Sequence, residues 1–195
     1  MVQKEGKDEI EIIGEEETQK EQKELFKQSN ISLILDSYED IFSSFDARAY
    51  SEKALSVDFL AECKNAVRDK GEFEIEMRLL MPKDKRNFKQ ETIIKKRLKS
   101  HFGKHFVEKE QEISKVKKEG FIWLSLGVLL LLGIIFVSLK FAEAFFASFI
   151  YILEVPSWFL MWEGMAKILI DARKIEPDFI FYKKMASVVI NFFEY

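Results

Sequence analysis

Between Phe121 and Trp162 the chain reads FIWLSLGVLLLLGIIFVSLKFAEAFFASFIYILEVPSWFLMW, with Lys140, Glu143 and Glu154 its only charged residues. Nothing else in the sequence limits the fold as strongly. Phe121 to Leu139 is nineteen uncharged residues. As a helix rising roughly 1.5 Å per residue they extend about 28 Å, against a hydrocarbon core of roughly 30 Å. Phe141 to Trp162 is long enough to cross again after a turn around Ser138 to Ala142. Basic residues flank the block: Lys115, Lys117 and Lys118 before it, then Lys167, Arg173, Lys174, Lys183 and Lys184 after it. Lys140 is the one basic residue at the turn. The positive-inside rule then puts both termini in the cytoplasm. The expectation is a two-helix transmembrane hairpin over 119–165 in the cell (inner) membrane.

The charge of the chain, 32% Asp, Glu, Lys and Arg with a net of −3, belongs mostly to the rest. Residues 1–30 are rich in Glu, Lys and Gln, bury too little to offset chain ordering, and read as a disordered charged tail. That stretch has no apolar core of a secretory signal. ISLIL (Ile31 to Leu35) reads as a short strand. Ser56 is a candidate N-cap for a helix in which Phe59, Leu60, Cys63, Ala66 and Val67 recur at three-and-four spacing until Gly71. FEIEMRLLMP alternates strictly, Phe73, Ile75, Met77, Leu79 and Met81 against charged neighbours, so it predicts a strand with one buried face, closed by Pro82. From Lys83 to Lys118 the pattern turns helical and basic, with thirteen Lys or Arg against five Asp or Glu. The last segment predicts a helix to about Lys184 and a strand from Ser187 to Phe193. Two strands alone are marginal in water, and the third completes a sheet; subunit pairing is another way to supply it.

The expected fold is therefore an α+β membrane protein. A small cytoplasmic α/β domain of about three strands and two or three helices occupies 31–118, ending in a long basic helix. The hairpin is inserted at 119–165, and 166–195 returns a helix and the closing strand to the domain. The lone Cys63 excludes an internal disulfide.

The run SYEDIFSSFDARAYSEKALSVDFL, the FEIEMRLLMP strand, the aromatic pairs of SHFGKHF and the WFLMWEG that follows the second apolar stretch carry a resemblance. Together they resemble a widespread family of small uncharacterised prokaryotic two-span membrane proteins with a cytoplasmic α/β domain. Prolines are common in that family where this chain has Ala47 and Ala49, and a basic residue where it has Glu163. The resemblance implies two spans and a cytoplasmic domain, and no activity.

Glu154 is the most unusual candidate. An ionised carboxylate at mid-bilayer costs roughly 2.5 to 3.5 kcal/mol on insertion scales, and Pro156 nearby frees the carbonyl of Ile152. One reading is a pore, proton relay or helix-association site. The other shifts the span so that Glu154 nears an interface, with Trp158 and Trp162 as an aromatic belt. Glu143, close to the turn, is expected to be hydrated. Lys115, Lys117 and Lys118 are expected to anchor the helix at an anionic leaflet, and Gly127 and Gly133 to let helices approach. His101 and His105 share a helical face, but two ligands are too few for zinc. KKRLKSHFGKHF interleaves bases and aromatics as nucleic-acid binders do, yet its aromatics fall at helical spacing and suit core packing better. No phosphate loop, HExxH, GxSxG or CxxC occurs, and Ser56, Asp58 and Glu62 form no recognisable triad. The residues thus favour a membrane-anchored cytoplasmic binding or assembly module over an enzyme. No cofactor is expected, and the expected partners are the lipid bilayer, further copies of the chain and an unidentified protein. The alternative is an oligomeric pore or transport accessory built on Glu154.

Overall fold

The computed structural model describes residues 30–68, 70, 75–140 and 144–195, with side chains throughout except at 144–149. The elements begin with β1 (Asn30–Ile34), a 3-10 turn (Tyr38–Ile41), α1 (Val57–Arg68), β2 (Glu76–Met81) and a second 3-10 turn (Lys83–Lys85). They continue with α2 (Phe88–Lys140), α3 (Ala144–Ala166), a π turn (Lys167–Asp171), α4 (Ala172–Ala186) and β3 (Val189–Glu194). Two compact units result, Met1–Gly103 with Lys183–Tyr195, and Lys104–Tyr182. The tail expected over 1–30 lies outside the described residues except for Asn30, which opens β1. Glu143 lies outside them as well, with Phe141 and Ala142 of the expected turn, whose first residues, Ser138 to Lys140, are still helical in α2.

The first unit is α+β, with a three-stranded sheet in the order β1-β2-β3 and both pairings parallel. Its register follows from the alternation in β2: Met77 sits between Ile31 and Ile190, and Leu79 between Leu33 and Phe192. Met77, Leu79 and Met81 are fully buried with Ile31, Ile190 and Phe192 on the same face. A one-residue slip would turn that whole set outward. The segment after α4 carried both helical and strand patterns. It becomes β3 because only the strand sets Ile190 and Phe192 beside Met77 and Leu79.

Helices cover that face. α1 contacts β1 and buries Phe59, Cys63 and Val67, one per turn. Burial pushes the Cys63 thiol up to about 12, with the charge of Glu62 adding to it. The opening turns of α2 bury Ile94, Leu98 and Phe102 completely, each removal from water stabilising by about 1.5–3 kcal/mol. The opposite face of the sheet is open, with Ile34 71% and Val189 50% exposed. Parallel sheets are normally covered on both faces. At its centre Glu76 accepts from Arg78 Nη2 at 2.8 Å and from Asn191 Nδ2 at 2.9 Å.

Between β1 and α1 the chain is held by charge. Asp46 accepts from Arg48 Nη2 at 2.7 Å and from the Ala54 amide at 2.7 Å. Glu39 receives the Lys53 ammonium and, at 2.8 Å, the Tyr50 hydroxyl. Lys53 is itself buried. The Arg48 guanidinium, aided by backbone amides, holds the Asp46 carboxyl well below its usual range, and Lys53 with Tyr50 lowers Glu39. The Asn191 amide, then Arg78, lowers Glu76. A carboxyl whose folded pKa is depressed stabilises the fold above its unfolded value, and that contribution is lost as pH falls through the folded one. The unit should therefore hold its thermal midpoint from pH 7 to about 5 and lose it progressively below the ordinary values of 3.8 and 4.5. Differential scanning fluorimetry from pH 7 to 3 checks this, and Asp46→Asn should flatten the acid limb. An unchanged acid limb in Asp46→Asn would show that Asp46 does not carry the effect.

Candidate functional site

In the second unit α2 runs antiparallel to α3 and α4, and five contacts fix the register. Phe106 stacks on Phe179 with ring centroids 5.6 Å apart, and His105 on Tyr182 at 5.2 Å. Glu119 pairs with Lys167 at 3.5 Å. Gly120 lies on Gly164, and Gly127 on Ser157 and Met161. Numbers rise along one helix as they fall along the other.

The seam is unusually close. A Cβ added at Gly164 would stand 2.5 Å from the Leu124 amide nitrogen, and one at Gly120 would stand 2.8 Å from the Gly164 carbonyl oxygen. At Gly127 it would meet the Ser157 carbonyl oxygen at 2.9 Å. Backbone therefore touches backbone, which only small residues permit. Ser157 is fully buried there, its hydroxyl donating to the Leu153 carbonyl at 2.8 Å. Gly120 and Gly127 are seven apart, as are Ser157 and Gly164, so each pair returns to the same face after two turns. The sequence expectation named Gly127 and Gly133, six apart, and did not include this heptad spacing or Gly120, Ser157 and Gly164. Gly127 takes the expected role and Gly133 does not, because nothing lies within 4 Å of its Cβ position. Six residues from Gly127 instead of seven, it is rotated off the seam.

This register sets the depth of each candidate. Ten residues beyond Gly120 is Leu130, the middle of Phe121–Leu139, and ten residues before Gly164 is Glu154. Glu154 thus lies level with the centre of the apolar stretch. It is partly exposed and makes no hydrogen bond or ion pair among the described residues. Pro156 lies inside α3, next in sequence to Ser157 of the seam. Trp158 and Trp162 point outward, 57% and 72% exposed. By the same counting Trp123, overlooked in the sequence, is level with Met161 and Trp162. Lys115, Lys117 and Lys118 are exposed on α2 before Gly120.

Two features bear on the membrane. α2 is a single helix of 53 residues that passes without a break from the first unit into the apolar stretch. It is long and apolar enough to cross a bilayer, and 11% of its most apolar 18-residue window is buried within the protein. A core helix of that composition would be mostly covered.

The first unit holds a polar cluster where the carboxyl ends of its strands meet, the usual place for a ligand in a parallel sheet. Arg86, just beyond β2, donates to Glu91 through Nε at 2.8 Å and Nη2 at 3.1 Å, and to the Phe192 carbonyl at 3.3 Å. The Tyr38 hydroxyl accepts from the Asn87 amide at 2.7 Å and donates to Glu91 at 3.2 Å. Burial, with Glu91 adding, raises the Tyr38 phenol. Each group serves a neighbour, so the cluster ties the first 3-10 turn, the segment after the second, β3 and the start of α2 together. His105 Nδ1 lies 2.8 Å from Glu108 and His101 packs edge-on to Phe102. Among the described residues no three His, Cys, Asp or Glu side chains are grouped to hold a metal. Ser56 accepts the first α1 amide, that of Leu60, on its carbonyl, while Asp58 and Glu62 are exposed on α1. Compared with known proteins, the chain matches no family model, no curated protein and no solved structure.

Proposed function

We propose that this protein is a membrane-anchored binding or assembly module, with α2 and α3 crossing the bilayer as a hairpin and the α/β unit on the cytoplasmic side. The observation that carries the reading is the apolar half of α2, which the protein itself leaves uncovered. The antiparallel seam supports two crossings, since it brings α3 back along α2 with Trp123 and Trp162 at one level. The open face of the sheet supports assembly, because a parallel sheet with exposed Ile34, Val189 and Phe193 is completed by a partner. A further copy of the chain is the simplest one.

Topology is tested with single cysteines and a thiol reagent that cannot cross membranes. Native Cys63 is fully buried with a raised thiol pKa and should stay silent. In intact cells Lys140→Cys should label at once, and a cysteine after Tyr195 only on permeabilisation. Labelling of the C-terminal probe in intact cells, or protection of Lys140→Cys, refutes the hairpin.

The second reading, an oligomeric pore, draws on Glu154 at mid-span with no hydrogen bond or ion pair among the described residues. Ion flux through proteoliposomes separates the two: Glu154→Gln should leave flux at the lipid background in both proteins if the module reading holds. Flux in the native protein that is lost in Glu154→Gln with assembly intact would establish the pore instead.

A further inference from the structure

Just beyond the seam the second unit opens into a cleft of about 370 Å³ between α2 and the π turn with α4. The π turn makes it. The Ala172 amide bonds to the Lys167 carbonyl, five residues back, so one extra residue turns the side chains of α4 away from the face that α3 applied to α2. Ile113, Ile168 and Phe179 supply an apolar floor, while Lys117 and Arg173 line the cleft with Glu110 and Glu176.

The charges are ordered along the helices. Lys117 is one turn from Phe121, where the apolar stretch begins. Glu110 is seven residues farther out, about 10 Å along the axis at roughly 1.5 Å per residue, and Glu176 lies one turn beyond Arg173. By the register Lys117 stands nearest the apolar stretch, Arg173 comes next, about one residue inside the level of Glu110, and Glu176 is outermost. Three lysines nearby are paired, Lys109 with Glu112 at 2.7 Å, Lys167 with Glu119 at 3.5 Å, and Lys174 with Asp171 at 2.8 Å. Lys117 and Arg173 have no such partner among the described residues, and neither do Glu110 and Glu176.

We infer that this cleft binds the head group of an aminophospholipid, its phosphate on Lys117 and Arg173 and its primary ammonium toward Glu110 and Glu176. In such a lipid the phosphate adjoins the glycerol and acyl chains and the ammonium lies outermost, the same order in which the cleft presents its charges. A basic site beside a span on the cytoplasmic side suits a lipid head group. Free phosphate would satisfy the cations and leave both carboxylates repelling it. The inference rests on the membrane reading above.

The test uses the full chain purified in detergent, with thermal stabilisation measured on adding phosphatidylethanolamine, phosphatidylglycerol, glycerophosphoethanolamine or inorganic phosphate. Phosphatidylethanolamine should raise the midpoint saturably, more than phosphatidylglycerol, and inorganic phosphate should not. Lys117→Gln with Arg173→Gln should raise the half-saturating lipid concentration at least about tenfold through the loss of both charge-assisted contacts. Glu110→Gln with Glu176→Gln should abolish the preference for the amine-bearing lipid. All four side chains are exposed, so these variants should fold. Equal stabilisation by both lipids, indifference to the Lys117 and Arg173 changes, or full competition by inorganic phosphate would each overturn the inference. Cysteine labelling is scored separately: a failed hairpin topology removes the membrane reading, whereas an intact topology with no lipid preference removes this inference alone.

Discussion

Gly164→Ala should separate α2 from α3. The new methyl would lie 2.5 Å from the Leu124 nitrogen and 2.6 Å from the Gly120 carbonyl oxygen, both backbone atoms that no rotamer change can move. Overpacking a tight site ordinarily costs about 1–3 kcal/mol, and here the whole helix must shift, so the loss should exceed that range. Gly164→Leu should prevent the hairpin from closing. Gly133→Ala is the matched control, since nothing lies within 4 Å of its Cβ position and Ala is the better helix former. Thermal unfolding in detergent, or crosslinking between cysteines placed at Leu124 and Met161, would register both. Equal stability in Gly164→Ala and Gly133→Ala would mean that the close seam does not hold the helices.

The second large effect lies in the other unit, where Glu91→Ala should cost about 3 kcal/mol. Glu91 and Arg86 keep only 6% and 15% of their side-chain surface in contact with solvent. Removing one member of a buried pair strands the other charge, which costs more than the pair contributes net. Tyr38 loses its acceptor at the same time. Arg86→Met combined with Glu91→Leu should recover much of the loss, because an apolar pair strands nothing. Chemical denaturation of the native protein, Arg86→Met, Glu91→Leu and the double variant gives the cycle. A single variant no less stable than the double would contradict this account.

The strands were legible because their information is local. The alternation through Met77, Leu79 and Met81 defines β2, and the β-branched and aromatic SVVINFF defines β3. Both sets of expected helices appear, yet the chain offered no sign that the basic helix and the apolar one are a single helix. The change of composition at Gly120 looks like a boundary, while helix geometry is indifferent to whether its side chains face water or not. The seam was half legible, through Gly127. Its other members depend on which residue of α3 meets which of α2, and composition cannot state that register. The π turn was hidden for a related reason, since one surplus residue leaves no mark until two helices must align. Least visible was the Tyr38–Glu91 hydrogen bond, between residues 53 apart in sequence. Glu91 had passed as one more surface charge on a basic helix.

The order of the strands has a consequence for synthesis. β2 is the central strand, but its second neighbour, β3, is made only after α2, α3 and α4 have been translated. A nascent chain therefore offers β1 and β2 as an incomplete pair, open along an edge that the ribosome has yet to fill. Closure of that edge demands that the helices in between have already brought the chain back, which makes a finished domain a record of their correct folding.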